Sequence, residues 1–259
     1  MTALLELDRI TKRFGQVTVA DGISLAVGHG EALGIVGPNG AGKTSLFSMI
    51  SGDLAPDAGE VRFDGAAVTR TDAAARCRLG MGRTYQVPRP FEDMTVFENV
   101  LVAARYGAGL SSRPAYALAA EVLAETGLGA QANLRAGALT LLQRKRLEVA
   151  RALGTGPRLL LLDEVAGGLT DPEVEELVGI VHGLKARGLS IVWIEHVVRA
   201  LTSTVDRLVC LAGGHVIGDG DPAEVLASDA VREVYLGADP EAAPHQQEEA
   251  PNVLGKLLR

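Results

Sequence analysis

Apolar residues along the chain fall into two kinds of run. Leu159-Leu160-Leu161-Leu162 has no alternation with polar neighbours. Such a run predicts a strand buried on both faces, as in a parallel sheet. Ala32-Leu33-Gly34-Ile35-Val36 and Ser190-Ile191-Val192-Trp193-Ile194-Glu195 read the same way, and Val205 to Leu211 predicts a further strand before a Gly213-Gly214 turn into Val216 and Ile217. Near the N-terminus the pattern alternates. Leu5 and Leu7 mark a first strand, Thr11 to Gly15 a loop, and Ile23 to Val27 a second strand. Gly59 to Phe63 runs into an Asp64-Gly65 turn. The expected class is α/β: a mainly parallel sheet with an antiparallel β patch at its N-terminal side.

Helical spacing fills most of the rest. Leu46, Met49 and Ile50 recur on one face, and residues 72–80 are Ala- and Arg-rich. Thr95-Val96-Phe97-Glu98 and Thr140-Leu141-Leu142-Gln143 both have capping-box spacing. The first predicts a helix to about Ala104. The second opens a helix bearing Leu147, Val149, Ala150 and Leu153, closed by Gly154, Gly156 and Pro157. Another helix is expected within 114–126. Asp171-Pro172 is read as the cap of a helix to about Arg187, and Pro222 and residues 229–236 start two more. Gly82-Arg83-Thr84-Tyr85-Gln86 reads as a short strand broken by Pro88 and Pro90. Residues about 87–155 are thus expected to form an α-helical subdomain inserted between strands of one domain, 1–237. Residues 238–259 are polar, acidic and Pro-bearing, and predict a disordered tail.

One stretch carries chemistry outright. Gly37-Pro38-Asn39-Gly40-Ala41-Gly42-Lys43-Thr44 has the G-x-x-x-x-G-K-T spacing of a phosphate-binding loop, and it lies between a predicted strand and a predicted helix. Glycines let backbone N–H groups approach phosphate oxygens, and the following helix adds the positive end of its dipole. Lys43 is placed to reach the β- and γ-phosphates of a nucleotide, and Thr44 to offer its hydroxyl to Mg²⁺. Asp163-Glu164 ends the four-leucine strand. Asp163 is expected to hold Mg²⁺, and Glu164 to orient or deprotonate the attacking water. The fold is therefore expected to be a P-loop NTPase core.

Composition narrows the partners. Net charge is −7 with no basic block, which argues against nucleic acid. Cys77 and Cys210 stand far apart without metal-ligand spacing and read as free thiols of a reducing compartment. The first residues carry acid early, so no signal peptide is expected, and no window approaches the roughly 18 uninterrupted apolar residues of a membrane span.

Taken together, these motifs make the chain similar to the nucleotide-binding subunits of ATP-binding-cassette transporters over about residues 1–237. Within that superfamily it most resembles the ATPases of branched-chain amino acid importers. The similarity lies in Gly82 to Gln86, in Phe91 to Val100, and in the ending Glu224-Val225-Leu226 to Tyr235-Leu236-Gly237. The resemblance implies ATP and Mg²⁺ as ligands, with Gly37, Pro38, Asn39, Gly40, Ala41, Gly42, Lys43, Thr44 and Ser45 around the nucleotide. Phe14 matches the aromatic that stacks on adenine. Gln86 matches the glutamine that senses Mg²⁺ and the attacking water, Glu164 the general base, and His196 the switch histidine at the γ-phosphate. The implied partners are membrane permease subunits, a second ABC ATPase or a second copy of this chain, and indirectly an external substrate-binding protein. The implied place is the cytoplasmic face of the plasma or inner membrane. Leu139-Thr140-Leu141-Leu142-Gln143 departs from the family's Leu-Ser-Gly-Gly-Gln signature, with Leu142 where glycine allows close approach to phosphate. That departure predicts a heterodimer whose partner carries a full signature. Val165, Thr170 and Val197 stand where the family commonly has Pro, Asp or Asn, and Asp. The alternative is a soluble, non-transport cassette, or a regulatory ATP-binding cassette with weak turnover.

Overall fold

The computed structural model describes residues 3–237, so the expectations for the tail lie outside the described residues. In chain order, β1 (Ala3–Phe14), β2 (Val17–Gly28) and β3 (Ala32–Val36) lead to α1 (Lys43–Ser51). β4 (Ala58–Phe63), β5 (Ala66–Ala67), α2 (Ala73–Leu79) and β6 (Met81–Arg83) follow. Next come α3 (Val96–Val102), α4 (Ser112–Glu125) and α5 (Leu141–Gly154), then β7 (Leu159–Asp163). α6 (Asp171–Ala186), β8 (Ser190–Ile194), α7 (Val198–Thr202), β9 (Arg207–Ala212), β10 (His215–Gly220), α8 (Pro222–Ala227) and α9 (Asp229–Gly237) complete the described residues.

The strands form two sheets, β2-β1-β4-β5, which is antiparallel, and β10-β9-β3-β8-β7-β6. In the second, β9-β3-β8-β7-β6 are parallel and β10 is an antiparallel edge. The unbroken apolar runs are explained by two cores. Leu160 and Leu162 of β7, with Ile191 and Trp193 of β8, pack on the side of α5 and α6. Leu159 and Leu161, with Val192 and Ile194, pack on the opposite side against α1 and the antiparallel sheet. Burying every side chain of β7 and β8 in this way leaves no polar face to generate alternation.

Three local expectations are corrected. Thr11 to Phe14 is strand, not loop. Lys12, Arg13 and Phe14 pair with Ala20, Thr18 and Val17, and Gly15 (φ 59°) starts the turn. The polar residues that suggested a loop are held instead by Asp57, which accepts from Lys12 Nζ at 2.7 Å and from the Arg13 N–H at 2.8 Å. The strand expected to reach Gln86 ends at Arg83, since past Thr84 the chain is exposed and meets prolines that have no N–H to donate. Thr170, rather than Asp171-Pro172, caps α6. The Glu173 carboxylate accepts from both the N–H and the hydroxyl of Thr170 at 2.8 Å. The capping boxes at Thr95–Glu98 and Thr140–Gln143 are present as expected.

Candidate active site

The candidate residues sit at the carboxyl ends of neighbouring parallel strands, where α/β sheets bind ligands. β3 runs into Gly37, β8 into Glu195 and His196, β7 into Asp163 and Glu164, and β6 into Thr84 and Gln86.

The loop after β3 has Gly37, Gly40 and Gly42 at φ of 148°, 80° and 100°. A Cβ on Gly37 would stand 2.1 Å from the Leu211 carbonyl oxygen, and one on Gly42 2.1 Å from that of Val19. The loop is therefore seated between β9 and the β1–β2 hairpin with no room for side chains at those two positions. Lys43 opens α1 and is buried, with Nζ donating to the Gly37 and Pro38 carbonyls at 2.8 and 3.1 Å. Burial lowers its pKa, while the nearby Glu164, Cys210 and Asp163 act the other way. Asn39, Gly40 and Thr44 are exposed, Pro38 and Ser45 are half-buried, and Ala41 is buried. Phe14 stands exposed at the end of β1, with Lys12 Nζ 5.5 Å from its ring centroid.

Asp163 is buried, and burial is the main reason its carboxyl pKa is raised. Its Oδ2 accepts from Arg83 at 3.0 Å, whereas Oδ1 is buried without a protein partner. An orphaned carboxylate oxygen beside the phosphate loop, with the exposed Thr44 hydroxyl at the start of α1, fits a hard divalent cation such as Mg²⁺ completed by phosphate and water oxygens. No group of three or more His, Cys, Asp or Glu able to hold a metal occurs among the described residues, so the protein alone offers no closed metal cage.

Glu164, Gln86 and His196 come together. Glu164 Oε1 is 2.9 Å from His196 Nε2, and Glu164 Oε2 accepts from Gln86 Nε2. Glu164 adopts a left-handed backbone, φ 47°, unusual for a residue with a side chain. Its N–H is held by the Ile194 carbonyl at 2.9 Å. Such strain costs on the order of 1–3 kcal/mol and persists where surrounding bonds over-determine it.

Three contributors were not singled out from the sequence. Arg83 is half-buried and joins Asp163 to Ser51 (2.8 Å) at the end of α1 and to Asp53 (2.9 Å) just beyond it. Lys145 is buried in α5, and Glu195 is buried directly after β8. A signal existed for Lys145: it falls on the apolar stripe of α5, three residues after buried Leu142 and four before buried Val149. That stripe also sets how the segment 139–143 faces. Leu142 turns inward and is nearly buried, and the exposed leucine is Leu141, which lies beside Gly168.

Glu195 carries a pH prediction. Its Oε1 accepts from the Ala166 N–H at 2.6 Å and from Trp193 Nε1 at 3.2 Å, yet burial pushes its pKa from the ordinary 4.5 up to about 7. The folded chain thus binds a proton more tightly than the unfolded chain. Stability falls as pH rises from 4.5 to 7, and the full penalty is present above 7. Glu195→Gln keeps the acceptor without the charge. It is expected to stabilise the protein at pH 8 by up to about 3 kcal/mol, and by little near pH 5. Denaturant titrations at both pH values check this; an equal effect at both would sink it.

With this geometry in view, the comparisons with known proteins are specific. The ABC transporter family profile matches residues 20–167, and that of the branched-chain amino acid ATP-binding cassette transporter matches residues 215–241. The high-affinity branched-chain amino acid transport ATP-binding protein BraF of Pseudomonas aeruginosa is 34% identical over 90% of this chain and 98% of its own. The Nod factor export ATP-binding protein I of Paraburkholderia xenovorans is 36% identical over 93% of this chain and 79% of its own. A crystal structure of the ADP conformation of an ATP-binding cassette of an ABC transporter superposes with a TM-score of 0.82, at 30% identity, over 92% of this chain and all of that one.

Proposed function

Because the chain belongs to the ABC transporter ATPase family, whose members are ATP-hydrolysing transporter subunits, we propose that it powers import of branched-chain or related small amino acids or amides. The observation that carries hydrolysis is the meeting of Gln86, Glu164 and His196 beside the phosphate loop. The match of the C-terminal segment to the branched-chain amino acid cassette supports the cargo class.

Loop N–H groups and Lys43 bind the ATP phosphates, Lys43 exchanging the Gly37 and Pro38 carbonyls for phosphate oxygens. Phe14 offers its exposed ring to the adenine. Thr44, Asp163 and Gln86 would hold Mg²⁺, which would neutralise charge on the transferring phosphoryl group. Glu164 takes a proton from the water that attacks the γ-phosphorus in line, Gln86 orients that water, and His196 donates to the γ-phosphate. Catalysis is then mainly positioning and charge stabilisation.

The domain spans 1–237, with 87–155 as a helical insert that relays closure to permease subunits. Val87, Phe91 and Met94, exposed apolar residues just beyond Gln86, supply a surface for that contact. Among the described residues no helix is long and apolar enough to cross a membrane. We place the chain at the cytoplasmic face of the plasma or inner membrane through its permease, served by an external substrate-binding protein. A second ATPase with a full Leu-Ser-Gly-Gly-Gln signature completes this chain's site, while Leu139 to Gln143 completes the partner's more weakly.

Purifying the tagged chain from gently solubilised native membranes is expected to bring down a permease and a second cassette. Recovery from the soluble fraction alone would overturn the transport reading. It would favour a regulatory ATP-binding cassette of weak turnover, the reading that the altered signature supports.

A further inference from the structure

Lys145 is buried, 4% exposed, yet its ammonium donates to no side chain among the described residues. Its two protein bonds go to backbone carbonyls, of Gln86 at 2.9 Å and of Glu164 at 3.1 Å. These are the two residues whose side chains meet, Gln86 Nε2 on Glu164 Oε2. One cation on α5 therefore spans the gap between the segment after β6 and the segment after β7, and closes a ring with the Gln86–Glu164 bond.

The sheet does not pair these two segments with each other, although the Glu164 N–H is held by the Ile194 carbonyl of β8 at 2.9 Å. The ladder between β6 and β7 stops at Arg83 and Leu161, with a last bond from the Thr84 N–H to the Leu161 carbonyl at 2.9 Å. Tyr85, Gln86 and Val87 are exposed beyond it. Glu164 sits at φ 47°. Desolvating an ammonium is costly unless it is fully used. The carboxylates of Glu195, Glu164, Glu148 and Asp163 offset the lowering of its pKa by burial. A hydrophobic residue on the stripe of Leu142 and Val149 would fill the same space without that cost, so the retained charge points to a positioning task.

We propose that Lys145 is a positioning residue for ATP hydrolysis, fixing the separation of the Gln86 and Glu164 backbones so that the amide of one meets the carboxylate of the other. This rests on the reading of Gln86 and Glu164 as the water-handling pair. Among the described residues Lys145 bonds only to the Gln86 and Glu164 carbonyls and makes no hydrogen bond to the loop at 37–44, so its loss is expected to act on turnover rather than on nucleotide affinity.

The test compares Lys145→Met, Lys145→Arg and Glu164→Gln in the full chain, purified with the proteins that accompany it. Lys145→Met is expected to lower kcat at least about tenfold, with KM and the Kd of a fluorescent ATP analogue changed less than about threefold. Lys145→Arg, whose guanidinium can still donate to both carbonyls, is expected to recover at least about a third of wild-type kcat. If Lys145→Met does not fold, Lys145→Gln, which keeps one donor, is read against the same thresholds. A kcat within about twofold of wild type in the folded variant overturns the proposal, as does a loss shared equally by Kd and kcat. Unimpaired hydrolysis by Glu164→Gln would instead remove the reading on which the proposal stands.

Discussion

Glu164→Gln is expected to lower ATP turnover by at least about a hundredfold while leaving ATP binding intact, so that the variant holds unhydrolysed nucleotide. The substitution keeps the shape of the side chain, and its amide can still bond to His196 and Gln86. What disappears is an oxygen able to accept the proton of the attacking water. The carboxylate's two oxygens are each within hydrogen-bond reach of a candidate partner, Oε1 of His196 and Oε2 of Gln86. The phosphate loop is untouched, since Lys43 is held by the Gly37 and Pro38 carbonyls. Single-turnover hydrolysis, together with nucleotide retained after rapid gel filtration, separates binding from chemistry. Turnover within a few fold of wild type would exclude Glu164 as the base.

Gly42→Ala is the second large effect. At φ 100° a side chain is already strained, by roughly 1–3 kcal/mol. The new Cβ would also lie 2.1 Å from the Val19 carbonyl oxygen, so the loop or the β1–β2 hairpin must move. Either shift displaces the N–H groups at the start of α1. ATP affinity is expected to fall at least about tenfold and thermal stability to drop by several degrees. Gly40→Ala is the internal control: its φ is also positive, at 80°, but nothing lies within 4 Å of its Cβ. It should carry the backbone strain alone. Equal losses in the two variants would show that conformation, and not the seat between strands, governs the loop.

The two carboxylates illustrate what was legible beforehand and what was not. Asp163-Glu164 could be found because they follow four leucines, a pattern that only a doubly buried strand requires. That Asp163 shares Arg83 with Asp53 could not, because the residues concerned lie on β7, on β6 and just past α1. Leu142 shows a detail the motif leaves open: of the two leucines in the signature segment, the phase of α5 keeps Leu142 nearly buried and leaves Leu141 exposed. Likewise Thr11 to Phe14 looked like a loop because pairing across a bulged hairpin, rather than apolar alternation, holds it.

By itself, the sequence determined the local features whose causes are local. These are the glycine spacing of the phosphate loop, the capping boxes at Thr95 and Thr140, the buried runs of β3, β7 and β8, and the acids ending β7. Only the tertiary structure decided which of these features meet. Strand order places β8 between β3 and β7 and β6 on the far side of β7. His196, Glu164 and Gln86, widely separated along the chain, therefore converge on one carboxylate. The buried Lys145 and Glu195 and the half-buried Arg83 behind them depend on non-local packing, because a charge in a core is tolerated only where distant backbone and side-chain partners surround it.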